Sequence, residues 1–248
     1  MAGEGKARKA KASPKEAPIS NGLLTLYLTM YNAAQWMSWA YLAYLLLVKY
    51  IDEVQNGTYE CEKYMREVYS VVGSFAGSLT LLGFLETIHA LARFVKTSPM
   101  PTLFQTLGRF AVLNITVASV SEAQAWVSTG SFLLCFVVIE NIRYPYYTVA
   151  QVLSLCNKKP PYILTWLRYT AWIPIYPTGI VTEWLTYYFS LPYLNNLELK
   201  LDIMPSISLP FYYVVVGLLV FYPIGGFVNL SHMGKQRKKA LSPKQKFE

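Results

Sequence analysis

The chain has 248 residues, of which 54% are hydrophobic and only 15% are charged, and its formal net charge is +8. A soluble domain would carry about a quarter charged residues, so the composition excludes an ordinary soluble protein and predicts an integral membrane protein. Nucleic acid is not an expected partner, because half of the 22 Lys and Arg residues lie in the terminal segments, where basic residues set topology and contact anionic membrane lipids.

Six apolar segments dominate the chain after a polar start. Residues 1–20 are rich in Lys, Ala, Gly, Pro and Glu, a composition that predicts a disordered basic tail. A transmembrane domain is predicted over residues 21–233, and residues 234–248 form a second basic tail. The predicted fold is all-α, a bundle of six transmembrane helices of about 20 residues or more. Their predicted ranges are 23–48, 68–95, 102–120, 126–155, 162–189 and 209–232.

Basic residues between the segments predict the orientation. Both tails and the two connections that hold Arg93, Lys96, Lys158 and Lys159 fall on one side, with fifteen Lys or Arg residues in all. The opposite side holds four, and the other three fall within segments. Because positive residues concentrate on the cytosolic side, both termini are predicted to be cytosolic.

The fifth segment contains Tyr176 and Glu183, seven residues apart. Seven residues make almost two helical turns, so the phenol and the carboxyl share one face, about 10 Å apart along the axis. A carboxyl group within a membrane is costly and indicates a functional site. A proton donor and a proton acceptor that face one cavity are what an elimination or an addition requires.

Other polar residues within the segments predict a funnel that faces the cytosol, with arginines near its mouth and Tyr176 and Glu183 at its bottom. Glu140 and Arg143, three residues apart, are predicted to pair with each other. A funnel of positive charge would suit an anionic ligand, but a buried network that only holds helices together fits the residues equally well. The polar residues assigned to the funnel are Glu86, His89, Gln105, Arg109 and Arg168.

Glu183 lies about twenty residues beyond the predicted cytosolic start of its segment, which is ~30 Å along a straight helix. A deep, narrow cavity open to the cytosol is therefore predicted. No metal site is expected, because the chain has only two histidines, His89 and His232, too few for a multi-histidine iron site.

These motifs resemble the membrane 3-hydroxyacyl-CoA dehydratases, once called protein-tyrosine-phosphatase-like proteins. The resemblance runs from about residue 27 to the C-terminus, and its key residues show no departure. The residues that carry it are Arg168-Tyr169, Tyr176-Pro177-Thr178-Gly179, Glu183, Leu85-Glu86-Thr87-Ile88-His89, Gln105 with Arg109, and Ile142-Arg143-Tyr144.

The resemblance implies a lyase of the endoplasmic reticulum membrane that converts (3R)-3-hydroxyacyl-CoA into trans-2-enoyl-CoA, the third step of very-long-chain fatty acid elongation. It implies that Tyr176 and Glu183 are the catalytic pair, and that no cofactor is needed beyond the CoA of the substrate. Other elongation enzymes are implied as partners. The residues that match supporting positions of the family are Glu86, Gln105, Arg109, Arg168 and Gly179.

Several choices stay open at this level. Glu183 is interpreted as the base and Tyr176 as the acid, although the reverse also fits, because burial favours a protonated carboxyl group. Arg109 or Arg168 could bind the CoA phosphates at the cytosolic mouth.

Residues 244–248 fit a dilysine retrieval signal, which works only on a cytosolic tail. The alternative functions are a non-catalytic assembly partner of elongation enzymes and a small membrane transporter.

Overall fold

The computed structural model describes residues 22–197, 200–204 and 207–242. The disordered tail predicted for residues 1–20 and the retrieval signal predicted at residues 244–248 lie outside these ranges. Within them the chain is predominantly helical, as the sequence predicts.

The described residues form six long helical stretches joined by short connections, one for each predicted segment. The second, third and fifth stretches are each divided by a local change of helix type or a break. In chain order the elements are α1 (Gly22–Gln55), α2 (Cys61–Val68), a π-helical turn (Tyr69–Gly73), α3 (Ser74–Leu82), α4 (Phe84–Leu91), α5 (Pro99–Phe110), a second π-helical stretch (Ala111–Val117), a 3₁₀ turn (Ser121–Ala125), α6 (Val127–Leu155), α7 (Tyr162–Thr170), α8 (Trp172–Asn196), β1 (Lys200–Met204), β2 (Ile207–Pro210) and α9 (Phe211–Ala240).

Helix α6 is the centre of the bundle. It packs along α1 on one side and along α8 on the other, and α8 in turn packs against α9. Its buried residues face the main hydrophobic core, whose largest fully buried members include Trp39, Leu42, Phe132, Leu133 and Tyr187. Large apolar side chains on the outward faces of α1 and α9 are exposed, as expected for surfaces that contact lipid tails rather than water.

Three helical stretches are long and apolar enough to cross a membrane: Cys61–Leu91, Val127–Leu155 and Phe211–Ala240. The chain is therefore a membrane protein, as its composition predicts. Helix α9 continues to Ala240, so it extends through His232, where the sixth segment was predicted to end, and into the basic segment that follows.

A short antiparallel hairpin separates α8 from α9, and the sequence analysis did not predict it. Strand β1 pairs with β2, so that Lys200 lies opposite Pro210. Two strands of five and four residues are too short for alternation of apolar and polar residues to stand out between two long apolar helices. Because of the hairpin, the last helix begins at Phe211 and not at residue 209, where the sixth apolar segment was predicted to begin.

Helices α2 and α6 approach each other closely at Gly130. A Cβ atom at this position would lie 2.0 Å from the backbone oxygen of Met65, well inside van der Waals contact, so only glycine allows the two backbones to meet. Small residues at helix contacts commonly permit such an approach in membranes. Gly130 therefore fixes the position of the second helical stretch against the central helix.

We expect Gly130→Ala to destabilise the protein by about 1–3 kcal/mol, because the added methyl group forces the helices apart. The melting temperature of the purified protein in detergent measures this effect. Gly217→Ala is the matched control, since nothing lies within 4 Å of a Cβ at Gly217. Equal melting temperatures for the two variants would contradict the assigned close contact.

Candidate active site

A cavity of about 1810 Å³ opens at one end of the bundle. Its wall combines α1 and α4 to α9 with the two connections at residues 92–98 and 156–161. Ligand pockets usually measure about 300–1,000 Å³, so this cavity is wide rather than narrow, contrary to the sequence-based prediction. Helix α7 has no fully buried residue and forms one side of the cavity.

One stripe of residues on α7 and α8 runs down the cavity wall. Tyr162, Thr165, Tyr169 and Tyr176 line the cavity, at intervals of three, four and seven residues that keep them on one helical face. Glu183 continues the same stripe seven residues further along α8. The cavity lining reaches Tyr176 and does not include Glu183. The carboxyl group predicted at the bottom of the funnel is thus enclosed by protein beyond Tyr176.

The Glu183 carboxylate is buried and hydrogen-bonded to the last helix. Its side chain is buried, with 6% of the residue exposed, and the Tyr222 hydroxyl of α9 donates a hydrogen bond to Glu183 Oε2. Glu183 Oε1 lies 3.8 Å from the position that a Cβ would take at Gly179. The carboxylate therefore turns back along α8 towards Gly179, which is three residues from Tyr176.

The acids and arginines of the second, third and fourth stretches form one connected network. Arg143 Nε donates to Glu140 Oε2 at 2.6 Å, as predicted for this pair, and its two terminal nitrogens donate to Glu86 at 2.8 Å each. Tyr144 also donates to Glu86. Arg109 pairs with the fully buried Glu140.

Arg109 is not at the cavity mouth, and that prediction was wrong. It is absent from the cavity lining, because its guanidinium pairs with Glu140 and stacks over the Phe136 ring, 4.6 Å from the centroid. From this position it still interacts electrostatically with both Glu183 and Tyr176. Arg109 therefore contributes positive charge behind the catalytic candidates rather than at the entrance.

Arg168 lies in the cavity wall on the same helical stretch as Tyr176. Its Nη2 donates to the Tyr147 hydroxyl at 2.9 Å, and it interacts electrostatically with Tyr176. Among the described residues, Arg168 makes no ion pair with a carboxylate, and its buried Nε has no hydrogen-bond partner. It therefore keeps a positive charge that no carboxylate among the described residues neutralises, in the same cavity wall as Tyr176.

The other predicted funnel residues also reach the cavity. Glu86, His89 and Gln105 line it. Gln105 Nε2 donates to Asn229 of α9 at 3.2 Å, and the His89 ring is hydrogen-bonded to the Tyr27 hydroxyl at 2.8 Å. These contacts hold α1, α4, α5 and α9 together around the entrance.

The arrangement is suited to proton transfer on a ligand that carries negative charge. A phenol faces the cavity, a carboxylate lies deeper on the same helix, and the unpaired Arg168 lies in the same cavity wall as the phenol. Within residues 22–197, 200–204 and 207–242, no group of three or more His, Cys, Asp or Glu residues could hold a metal ion.

Sequence reasoning missed Tyr222. The bend-prone motif of Pro223, Gly225 and Gly226 next to it was visible in the sequence, but no chemistry was assigned to it. The available signal was that Tyr222 stands next to Pro223 within an apolar segment. This signal did not indicate that Glu183 is the hydrogen-bond partner of Tyr222.

Comparison with known proteins gives a consistent set of matches. The family model described as protein tyrosine phosphatase-like protein, PTPLA, matches residues 80–243. A protein of Canis lupus familiaris named very-long-chain (3R)-3-hydroxyacyl-CoA dehydratase 1 is 30% identical over 244 residues, covering 96% of this chain and 92% of that protein. The Homo sapiens protein named dehydratase 2 of the same series is 31% identical over 227 residues, covering 89% and 82%.

A Danio rerio protein named very-long-chain (3R)-3-hydroxyacyl-CoA dehydratase is 28% identical over 228 residues, 91% of this chain. The chain spans about three fifths of the length of this relative and of two further relatives from Gallus gallus and Mus musculus. No solved structure matches the chain.

Proposed function

The chain belongs to the protein tyrosine phosphatase-like family, and from this premise we propose that it is a lyase acting on (3R)-3-hydroxyacyl-CoA. The product is trans-2-enoyl-CoA, and the reaction is the third step of very-long-chain fatty acid elongation. The observation that carries the proposal is the position of Tyr176 in the wall of a large, positively charged cavity, with Glu183 behind it on the same face of α8.

The reaction needs two proton transfers. A base removes the proton from C2 of the acyl chain, and an acid protonates the C3 oxygen so that it leaves as water. We assign Glu183 as the base, because the hydrogen bond from Tyr222 stabilises its ionised form. Tyr176 is then the acid. Gly179 lies beside the Glu183 carboxylate, since a Cβ at this position would be 3.8 Å from Glu183 Oε1.

We assign to Arg168 the stabilisation of negative charge on the thioester oxygen. Removing the C2 proton places negative charge on the thioester oxygen, and a fixed cation that donates a hydrogen bond there lowers the barrier. The unpaired charge of Arg168 and its place in the cavity wall, on the same helical stretch as Tyr176, suit this role. Arg109 supports the site electrostatically, and Gln105 and Glu86 hold the helices of the entrance. We propose no metal or redox cofactor, because an elimination of water requires proton transfer only.

The proposed setting is the endoplasmic reticulum membrane, with six spans and both termini in the cytosol. The cavity mouth supports this orientation, because it is formed by the connections at residues 92–98 and 156–161 and by the end of α9. The positive-inside rule places the same three regions in the cytosol, where acyl-CoA substrates are available. Contact with membrane lipids and association with other elongation enzymes are part of the proposal.

The direct test is to assay purified full-length protein, reconstituted in lipid nanodiscs, with a long-chain (3R)-3-hydroxyacyl-CoA. Formation of enoyl-CoA, followed by mass spectrometry, is the expected result. A folded, monodisperse preparation that forms no enoyl-CoA across several chain lengths would contradict the proposal and favour a non-catalytic partner.

Tyr222→Phe tests the assigned support of Glu183. Hydrogen bonds to charged groups contribute about 1.5–3 kcal/mol, so we expect kcat to fall by about 10- to 100-fold. KM should stay unchanged, because Tyr222 does not line the cavity. Tyr213→Phe is the control, since Tyr213 lies on the same helix and is 61% exposed. A loss that appears in KM or in melting temperature, with kcat preserved, would assign Tyr222 to packing.

A further inference from the structure

Four lysines surround the mouth of the cavity, and they come from three separate parts of the chain. Lys96 lies between α4 and α5, Lys158 and Lys159 connect α6 to α7, and Lys239 lies in the last turn of α9. All four side chains are exposed. We call this group the lysine rim. Three chain segments far apart in sequence thus bring like charges to one opening, which costs electrostatic energy unless an anion binds there.

The lysine rim is not neutralised by nearby acids. Glu86 is the one acidic residue among the described residues that line the cavity, and Arg143 and Tyr144 already bind its carboxylate. No rim lysine forms an ion pair with any carboxylate in the described ranges. At the other end of the bundle, by contrast, Lys49 binds both Glu53 and Glu67. The mouth therefore presents a concentrated positive potential.

The type of cationic side chain changes from the rim of the cavity to its inner wall. The rim carries flexible lysines, which bind phosphate as point charges, whereas the inner wall carries the planar guanidiniums of Arg143 and Arg168. Arg143 is fully occupied by Glu86 and Glu140. A ligand with several phosphates at one end and an uncharged arm at the other would fit this gradient, with its arm directed towards Tyr176.

We propose that the lysine rim binds the phosphates of coenzyme A and is the element that selects CoA thioesters over phosphate-free thioesters. The inference rests on the proposed dehydratase function. The diphosphate and the 3′-phosphate of the nucleotide stay at the rim, and the pantetheine arm extends past Arg168 to place C2 and C3 of the acyl chain beyond Tyr176. The rim thus replaces Arg109 as the expected phosphate site.

The test compares two substrates that share the same 3-hydroxyacyl group and the same arm, a CoA thioester and a pantetheine thioester without phosphates. We expect Lys158→Gln combined with Lys159→Gln to raise KM for the CoA thioester by about tenfold or more, since each solvent-exposed ion pair contributes up to about 1 kcal/mol. Values of kcat for both substrates, and KM for the pantetheine thioester, should stay unchanged. Turnover of the pantetheine thioester also shows that the variant is folded.

The matched control combines Lys235→Gln with Lys238→Gln, which removes the same charge from exposed positions of α9 that do not line the cavity. An equal rise of KM in this control would overturn the proposal, because it would show a general effect of surface charge. A double rim variant that keeps its KM but binds less to vesicles containing phosphatidylserine would overturn it in favour of a lipid headgroup site.

Failure of this inference is distinguishable from failure of the proposed function. If the native protein converts both thioesters with the same kcat/KM, the rim does not select phosphate, although the dehydratase activity stands. If it converts neither, the proposed function itself is wrong. Turnover of the CoA thioester with at least tenfold higher kcat/KM than its phosphate-free analogue, lost in the double rim variant, is the result that supports both.

Discussion

Tyr176→Phe should lower kcat for dehydration by about 10²–10⁴-fold, the usual contribution of one general acid or base. The substitution removes only the hydroxyl that faces the cavity and keeps the ring, so packing, melting temperature and KM should change little. Enoyl-CoA formation by the reconstituted protein measures the effect. Tyr188→Phe is the control, because Tyr188 lies on the same helix with 52% of its surface exposed.

Glu183→Gln should cause a loss of the same size, because the amide keeps the shape of the side chain but accepts no proton. Glu62→Gln is its control, since the Glu62 side chain is 62% exposed and pairs with the exposed Arg66. Full turnover by either Tyr176→Phe or Glu183→Gln would remove the corresponding residue from the mechanism.

The same two variants separate acid from base. If Glu183 is the base, exchange of the C2 hydrogen of the substrate with deuterated water should disappear in Glu183→Gln. Tyr176→Phe should retain that exchange while losing dehydration, provided that C2 deprotonation precedes departure of the C3 oxygen. Exchange that is lost in Tyr176→Phe and retained in Glu183→Gln would reverse the assignment.

The position of these residues on one helix face was predictable from the sequence because it depends only on local geometry. A helix places residues seven apart on the same face whatever surrounds it, and α8 contains both Tyr176 and Glu183. The i, i+3 pairing of Glu140 and Arg143 followed from the same periodicity. The coarse helix positions followed from long apolar runs, which are the strongest signal that a membrane protein sequence carries.

The partners of the site residues could not be predicted, because they depend on which helices lie next to each other. Arg109 was expected near the mouth, but it pairs with Glu140 of a different helix. Tyr222 meets Glu183 only because α9 packs against α8. Similarly, the lysine rim arises from two connections and the end of a third element, and nothing in the spacing of Lys96, Lys158 and Lys239 along the chain indicates that they share one opening.

Arg143→Met should cause the largest loss of stability among the substitutions considered. Arg143 binds both Glu86 and Glu140, and Glu140 has no exposed surface. Removing one partner of a buried ion pair leaves an uncompensated charge and costs about 3–5 kcal/mol. Methionine has a similar length and an apolar side chain, so the change isolates the lost charge. Thermal unfolding in detergent, monitored by the fluorescence of buried tryptophans such as Trp39, measures the effect.

Two further variants decide whether the loss comes from uncompensated charge. Arg66→Met removes an exposed arginine from its pair with Glu62, and exposed pairs contribute at most about 1 kcal/mol, so its melting temperature should stay close to that of the native protein. Adding Glu86→Gln to Arg143→Met should restore part of the lost stability, because it removes one of the two carboxylates that Arg143 neutralises. Arg109 still neutralises Glu140 in that double variant. If the double variant is less stable than Arg143→Met alone, the network stabilises the bundle through its hydrogen-bond geometry rather than through charge balance.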